Sequence, residues 1–405
     1  MTKIELLAPA GNMEKLNTAL YFGADSVYMS GNKLGLRAYA GNFDEDELAL
    51  GVKYAHSLGK KVYVTVNVFA YDSDFANLGE YLDYLENIGV DAIIVSDVGI
   101  VSYAMKHNPN LAIHLSTQAS TTNSYSVEFW RDLGLKRIVL AREVSLDGIK
   151  AIRDRLGDTI ELEGFVHGAM CMSYSGRCLL SNYLMNRGAN RGECVQACRW
   201  EYAIHEVKRP EKPLILTEDE RGSYILNSRD LNMMAHLDKM IDAGLDSLKI
   251  EGRMKTPYYV GTVVNAYRRA LDTLNNGGTI DDTLLYELDK AGHRTYTTGF
   301  YFGSSDNICL ESSQPEQDYE FSAIVLDYDS TNRVATIEQR NRFRVGDELE
   351  VLSPSDTFNK TIPVQGVTDL DGVAVDDCKR VQQKLILPTT LKLQKGDILR
   401  RKIDA

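Results

Sequence analysis

The sequence predicts an α/β protein: a (β/α)8 barrel of the TIM type, followed by a small C-terminal all-β barrel. Three observations predict it. Between residues 4 and 277, short runs rich in β-branched residues alternate with amphipathic stretches of helical period. A phrase recurs where helix gives way to strand, as FGADSVYMS, IGVDAIIVSD, LGLKRIVLAR and AGLDSLKIEG, with Gly23, Gly89, Gly134 and Gly244 at helix C-cap positions. Beyond about residue 316 the helical period disappears, and short alternating runs separated by turn residues replace it.

Taken in order, the strands are IELLAPA (4–10), DSVYMS (25–30), KVYVTVNVF (61–69), AIIVSD (92–97), AIHLST (112–117), RIVLAR (137–142), ELEGFVHG (161–168) and SLKIEG (247–252). Eight strands joined by helices suit a closed barrel better than an open doubly wound sheet, which commonly has five or six. The interval between the seventh and eighth is irregular, a cysteine-rich insertion at about 169–232 that includes a hairpin turning near Glu220 to Gly222. A long helix begins at Pro257 and ends near NNGG (275–278). The tail offers FSAIVLDY, RVATIEQR, DELEVLSP, TIPVQGV and KLILP, which place a small β-barrel in 316–405 after the (β/α)8 domain in 1–315.

The chain has 405 residues, enough for one large core and a smaller companion. Its first thirty residues lack the basic start, apolar run and small-residue cleavage site of a secretory signal, and no apolar run approaches the roughly 18 residues that span a bilayer. A soluble cytoplasmic protein with no membrane partner is the expectation. The formal charge of −12 argues against indiscriminate binding to phosphate, yet positive charge gathers locally. Arg177, Arg187, Arg191, Arg199, Lys208 and Arg209 stand against Glu193, Glu201 and Glu206, around the cysteines.

Chemistry in such barrels collects at the carboxyl ends of the strands. That selects Asn12, Asn67, Asp97, Gln118, Arg142, Glu143, Glu163, His167, Lys249, Glu251 and Arg253, of which Asn12 and Asp97 suit helix N-caps. Four of the six cysteines, Cys171, Cys178, Cys194 and Cys198, fall within 28 residues. Disulfides need an oxidising compartment. Zinc knuckles favour C-x2–4-C twice, and only Cys194 and Cys198 have that spacing. A [4Fe–4S] cluster tolerates wider spacing, and Gly168, Gly176, Gly188 and Gly192 would let backbone come close to sulfide. A nucleophilic Cys171 with His167 as base is a further reading, which leaves three cysteines unexplained. Cys309 and Cys378 read as ordinary buried side chains.

The run from Glu163 to Ser181, EGFVHGAMCMSYSGRCLLS, resembles the signature of the peptidase U32 family, the so-called collagenase-like proteases. ELLAPAGNMEKLNTALYFGADSVYMS and SLKIEGRMKTPYYV (247–260) resemble it too. The resemblance implies more than proteolysis. Members of that family act as oxygen-independent hydroxylases of a tRNA wobble uridine, a ribosomal cytidine or the ubiquinone ring, with a four-cysteine iron–sulfur cluster; prephenate is associated with the RNA-modifying ones as the source of oxygen. A barrel with one β module is most similar to the tRNA 5-hydroxyuridine branch, and Cys171, Cys178, Cys194 and Cys198 then take the ligand positions.

In that reading the partners are tRNA, a small dicarboxylate and an unidentified electron donor. Arg142, Lys249 and Arg253 would bind carboxylate or phosphate. Glu163, His167 and Glu251 would move protons, and Tyr174 would stack on an extruded base. The alternatives are a U32-type peptidase, for which there is no HExxH helix and no GxSxG elbow, and a non-catalytic RNA-binding factor.

Overall fold

The computed structural model describes residues 4–35, 42–171, 173–178, 180–185, 187–197, 218–219, 222–223, 229–303 and 316–403. They form two compact units. The first comprises Met1–Leu16, Asp25–Met254 and Arg294–Pro315; the second comprises Asn17–Ala24, Lys255–His293 and Glu316–Ala405.

The first unit alternates strand and helix: β1 (Glu5–Pro9), the first turn of α1 (Met13–Tyr21), whose remainder belongs to the second unit, β2 (Ser26–Met29), α2 (Glu45–Ser57), β3 (Lys61–Val66), α3 (Leu78–Asn87), β4 (Ala92–Val95) and α4 (Val98–His107). It continues with β5 (Ile113–Leu115), α5 (Ser124–Asp132), β6 (Arg137–Val139), α6 (Leu146–Leu156), β7 (Glu161–Ala169) and α7 (Leu180–Met185). A small hairpin of β8 (Glu218–Asp219) and β9 (Gly222–Ser223) follows, then β10 (Asp230–Asn232), α8 (Leu237–Asp242), β11 (Ser247–Ile250) and, much later, β12 (Tyr296–Thr297). Strands β1 to β7 pair in sequence, all parallel, and β11 closes the ring by pairing with both β7 and β1. This is the expected eight-stranded barrel. Strands β10 and β12 extend the sheet beyond it, β10 running antiparallel to the last residues of β7.

Local chemistry explains the alternation. Side-chain caps open the helices: Asp44 accepts from the Glu47 N–H in a reciprocal capping box, and Asp97, Asn123 and Ser145 accept from Ile100, Ser126 and Gly148. The four junction glycines, 23, 89, 134 and 244, all have φ between +81° and +102°, the left-handed conformation that turns a finished helix toward the next strand. Strands β2 and β4 are buried at every residue, as parallel strands covered on both faces must be.

The third strand ends earlier than expected, at Val66 rather than Phe69. Its last donors go to loops instead of a ladder: the Val68 N–H to the Leu34 carbonyl and the Phe69 N–H to the Asn190 carbonyl.

The barrel interior is not wholly apolar. Arg137, at the start of β6 and 3% exposed, contacts carboxylate oxygens of Glu5 at 2.5 Å, Glu161 at 2.7 Å and Glu163 at 3.0 Å. Lys249 meets the other Glu163 oxygen at 2.8 Å. The Tyr63 hydroxyl and the Ser247 hydroxyl donate to Glu5. Burial alone would raise the Glu163 carboxyl, but Lys249 and Arg137 hold it below its ordinary value. His114 packs edge-on to Tyr63, and burial followed by the Arg137 charge pushes it well below 6.5.

The second unit contains α9 (Pro257–Asn275), α10 (Asp282–Glu287) and the tail strands β13 (Tyr319–Asp329), β14 (Val334–Gln339), β15 (Phe343–Arg344), β16 (Glu348–Leu352), β17 (Thr361–Pro363), β18 (Thr368–Asp369), β19 (Asp377–Cys378), β20 (Lys384–Pro388) and β21 (Ile398–Lys402). Seven of them form a sheet ordered β17-β16-β21-β13-β14-β20-β18, and β15 pairs with β19. The chain Thr256–Asn276 caps α9 with the Thr256 hydroxyl and places Pro257 in its first turn. Inside this unit Arg400 is fully buried against Glu287, at 2.6 Å, and Glu350. Cys378 lies in its apolar core, where burial pushes the thiol up to about 11, so it acts as packing.

Two outcomes are expected. Arg137→Met leaves Glu5 without its cation and the buried Glu163 with Lys249 alone, and should cost about 3–5 kcal/mol in denaturant unfolding; a loss below about 1 kcal/mol would show the network to be energetically idle. His114 is held neutral when folded and protonates freely when unfolded. Its contribution is therefore present above pH 6.5 and lost as pH falls, with a slope approaching about 1.4 kcal/mol per pH unit. His114→Gln should flatten the stability profile between pH 7 and 5, and an unchanged profile contradicts this.

Candidate functional site at the barrel mouth

Above the ionic layer, the carboxyl ends of β3, β5, β6, β7 and β11 converge on one group of polar residues. The pairing of β7 with β11 slips at its end: Lys249 stands opposite Phe165, but the next residue, Ile250, stands opposite His167. Such an irregularity re-aims side chains, here at His167. His167 is 1% exposed, and its ring centroid lies 5.6 Å from that of Tyr296. The following Gly168 has φ +105°, and a Cβ there would meet the Glu251 carbonyl oxygen at 2.3 Å. On the other side, a Cβ on Gly11 would meet the Arg253 carbonyl oxygen at 2.4 Å. The 251–253 turn is thus held between two glycines, which explains Gly168 in the HGAMC run.

Within this frame Arg142 lies over the Phe165 ring, 4.0 Å from its centroid, and reaches Glu251 at 3.4 Å. Arg253, 4% exposed, donates to the Thr65 hydroxyl at 3.2 Å. The Asn67 amide donates to Gln118, which also accepts from Ser116. Arg142, His167, Glu251 and Arg253 therefore belong to one mouth. Glu163 and Lys249 do not: they are sealed in the interior, Lys249 on one Glu163 oxygen and Arg137 on the other, so their position is that of a core ion pair. Asn12 and Asp97 cap α1 and α4, accepting from the backbone of Lys15 and Ile100.

The cysteine loop is tied to this mouth by polar struts. Glu143 accepts from both the N–H and the hydroxyl of Ser175, at 2.7 and 2.6 Å. Arg177 donates to the Gln118 carbonyl and lies over the Phe69 ring. Arg191 forms two hydrogen bonds with Asp74 and a third with the Phe69 carbonyl, its guanidinium over Tyr71. That contact holds Asp74 below its ordinary range. Sequence reasoning gave Glu143 no role beyond its strand-end position and missed Asp74 and Asn190. Asp74 sits in a 3₁₀ turn with no motif to mark it.

Cys171 and Cys194 are exposed and Cys178 is half-buried; Cys198 lies outside the described residues. The Leu180 N–H points at the Cys178 sulfur at 3.3 Å, and the Gln196 N–H at the Cys194 sulfur at 3.4 Å. Ser175 and Gln196 both hold positive φ, +44° and +57°. Backbone donors aimed at sulfur stabilise thiolate charge, so this donor set fits a thiolate-bound iron–sulfur centre in its chemistry. Among the described residues no three cysteine, histidine or acidic side chains stand close enough together to hold a metal ion. Tyr174, beside the strained serine, is 54% exposed.

The description "Peptidase family U32" matches residues 11–310, and "Peptidase family U32 C-terminal domain" matches residues 317–400. The chain belongs to peptidase family U32. It is 39% identical to "tRNA hydroxylation protein P1" of Bacillus subtilis (strain 168), over 98% of this chain and 95% of that protein. It is 36% identical to "tRNA hydroxylation protein P" of Escherichia coli (strain K12), over 89% of each. It is also 35% identical to a "Collagenase" of Porphyromonas gingivalis (strain ATCC BAA-308 / W83), over 74% of this chain and 72% of that one. Among the described residues no helix is long and apolar enough to cross a membrane.

In this U32 chain, Gly168→Ala puts a methyl into backbone and forces a conformation that side chains rarely adopt. It should destabilise by about 2 kcal/mol or more and displace the 251–253 turn. A variant that melts with the parent and keeps its activity would remove Gly168 from the site's construction.

Proposed function

We propose that this U32 enzyme hydroxylates tRNA, adding oxygen at C5 of the wobble uridine without O2, with a [4Fe–4S] cluster bound by Cys171, Cys178, Cys194 and Cys198 and with prephenate as the oxygen source. The observation that carries the proposal is identity of 39% across nearly the whole of both chains with a protein named for tRNA hydroxylation. The mouth supports it with cationic, titratable and aromatic groups beside a cysteine loop.

The cluster, when bound, supplies redox or Lewis-acid chemistry that side chains lack. The chain's own residues do the rest. The Arg142–Glu251 contact is long at 3.4 Å, so a substrate carboxylate can compete for the guanidinium while Phe165 keeps it flat. Arg253, buried and bonded to the Thr65 hydroxyl, is the second cationic group at the mouth for a carboxylate or phosphate. Glu251, once released by Arg142, and His167 move protons at the reacting base. Exposed Tyr174 stacks on a nucleotide drawn out of a loop. The electron donor is a separate partner.

A peptidase is the second reading, favoured by the family's name and by the P. gingivalis relative. It requires gelatin cleavage by the purified protein that disappears in Cys171→Ala while metal content stays unchanged.

A strain lacking this gene, with no second pathway, should lose 5-hydroxyuridine-derived nucleosides from its tRNA by mass spectrometry; their full retention contradicts the proposal. Anaerobically purified protein should carry iron and sulfide near four of each per chain, the stoichiometry of a [4Fe–4S] centre. Arg142→Ala should lower hydroxylation by about 10- to 100-fold, the range for losing a hydrogen bond to a charged group. Wild-type rates in that variant would exclude Arg142 from substrate binding.

A further inference from the structure

We infer that Glu143 is a positioning residue for the cysteine loop: it pins Ser175, midway between Cys171 and Cys178, to the turn after β6, and so fixes where those two thiols stand at the mouth. The inference deepens the reading above and rests on its assignment of the two cysteines as ligands.

Three observations carry it. First, both oxygens of one carboxylate are engaged by one residue: Oε1 takes the Ser175 N–H at 2.7 Å and Oε2 takes its hydroxyl at 2.6 Å. Two-point attachment fixes direction as well as distance. Second, Ser175 is 1% exposed and holds φ +44°, ψ 32°, a left-handed conformation disfavoured for a residue with a side chain. Strain of this kind persists only where surrounding contacts over-determine it. Glu143 supplies the contacts. Third, the charge is of the unhelpful sign. A loop that gathers anionic sulfur is served electrostatically by cations, whereas Glu143 brings a carboxylate to Ser175, four residues from one cysteine and three from the other. Its value there is geometric.

Glu143 itself stands on firm ground. It lies between β6 and α6, two residues before the Ser145 cap of that helix, and after Ala141, whose N–H donates to the Thr121 carbonyl. Of the other struts, Arg177 to the Gln118 carbonyl adjoins Cys178, and Arg191 to Asp74 holds the loop beyond it. Among the described residues, the Glu143 strut is the one inside the Cys171–Cys178 interval whose donor is not a neighbour of either cysteine.

The test uses full-length protein, purified anaerobically, as wild type, Glu143→Ala, Glu143→Gln and Ser175→Ala. Iron and sulfide per chain, the rate of iron release to excess EDTA, and the alkylation rates of Cys171, Cys178 and Cys194 by iodoacetamide in metal-free protein are measured beside the thermal midpoint. Glu143→Ala should release iron about tenfold faster or more, the scale on which partners outside a ligand shell act on metal affinity. In the metal-free chain it should speed alkylation of Cys171 and Cys178 while leaving Cys194 unchanged. Glu143→Gln, keeping an acceptor for one of the two donors, should fall between. Release and alkylation equal to wild type in Glu143→Ala, or a uniform rise at all three thiols, overturns the inference. If Glu143→Ala does not fold, Ser175→Ala removes one bond and leaves the backbone contact, and a wild-type release rate and alkylation pattern there overturns it equally. Wild-type protein without iron or sulfide would sink the cluster reading, while the alkylation pattern would still decide the role of Glu143.

Discussion

A guanidinium enclosed by eight strands is the constraint from which the rest of the barrel unit follows. Arg137 cannot shed its charge, and burial away from water would be prohibitive without anions within reach. Glu5 on β1, Glu161 and Glu163 on β7, and through Glu163 the ammonium of Lys249 on β11, answer it. The bonds run between four of the eight strands and across the seam where the barrel closes. A shift of β11 by one residue would strand Lys249 away from Glu163 and leave a carboxylate alone in the core. The lattice therefore specifies register as well as closure, which an apolar interior of interchangeable methyl groups does less sharply.

The mouth inherits its geometry from that layer. His167 lies four residues beyond Glu163 on β7, Glu251 two beyond Lys249 on β11, and Arg142 five beyond Arg137 on the turn from β6. Each candidate group is thus a short, stiff distance from an interior ion pair. Gly168 and Gly11 convert that stiffness into position, because they let the carbonyls of Glu251 and Arg253 come closer than any Cβ would allow. Packed backbone on two sides leaves the 251–253 turn little freedom, and preorganisation of this kind is what lets cationic and titratable groups act without first rearranging.

How much of this the sequence disclosed depended on whether the signal was local. Barrel strands, junction glycines and the Asn12 and Asp97 caps were legible because periodicity, φ preference and capping are properties of a few neighbouring residues. The end of β3 was not: Val68 and Phe69 look like strand, and only the loops they bond to, at Leu34 and Asn190, remove them from the ladder. Glu163 and Lys249 show the opposite failure. Their strand-end motif marks them as chemistry, yet Glu163 is claimed by Arg137, 26 residues away in sequence, and Lys249 by Glu163, 86 residues away. Ion pairing across a barrel has no period, so no spacing rule could have separated these two from Arg142 and Glu251. Asp74 and Asn190 went unnoticed for the same reason.

The cysteine loop differs from the barrel in what holds it. Its described anchors are hydrogen bonds and ion pairs from Glu143, Gln118, Asp74 and Phe69, with arginines laid over Phe69 and Tyr71. Apolar packing is non-directional and would let such a segment slide; a bidentate carboxylate or a forked guanidinium does not. Two residues in the loop, Ser175 and Gln196, also carry left-handed backbone, and at Gln196 that conformation accompanies an N–H aimed at the preceding cysteine sulfur. Directional anchors combined with local strain are costly for a segment whose only duty is to connect strands, and a solvated linker needs neither. A loop that must present sulfur at one place and in one orientation needs both.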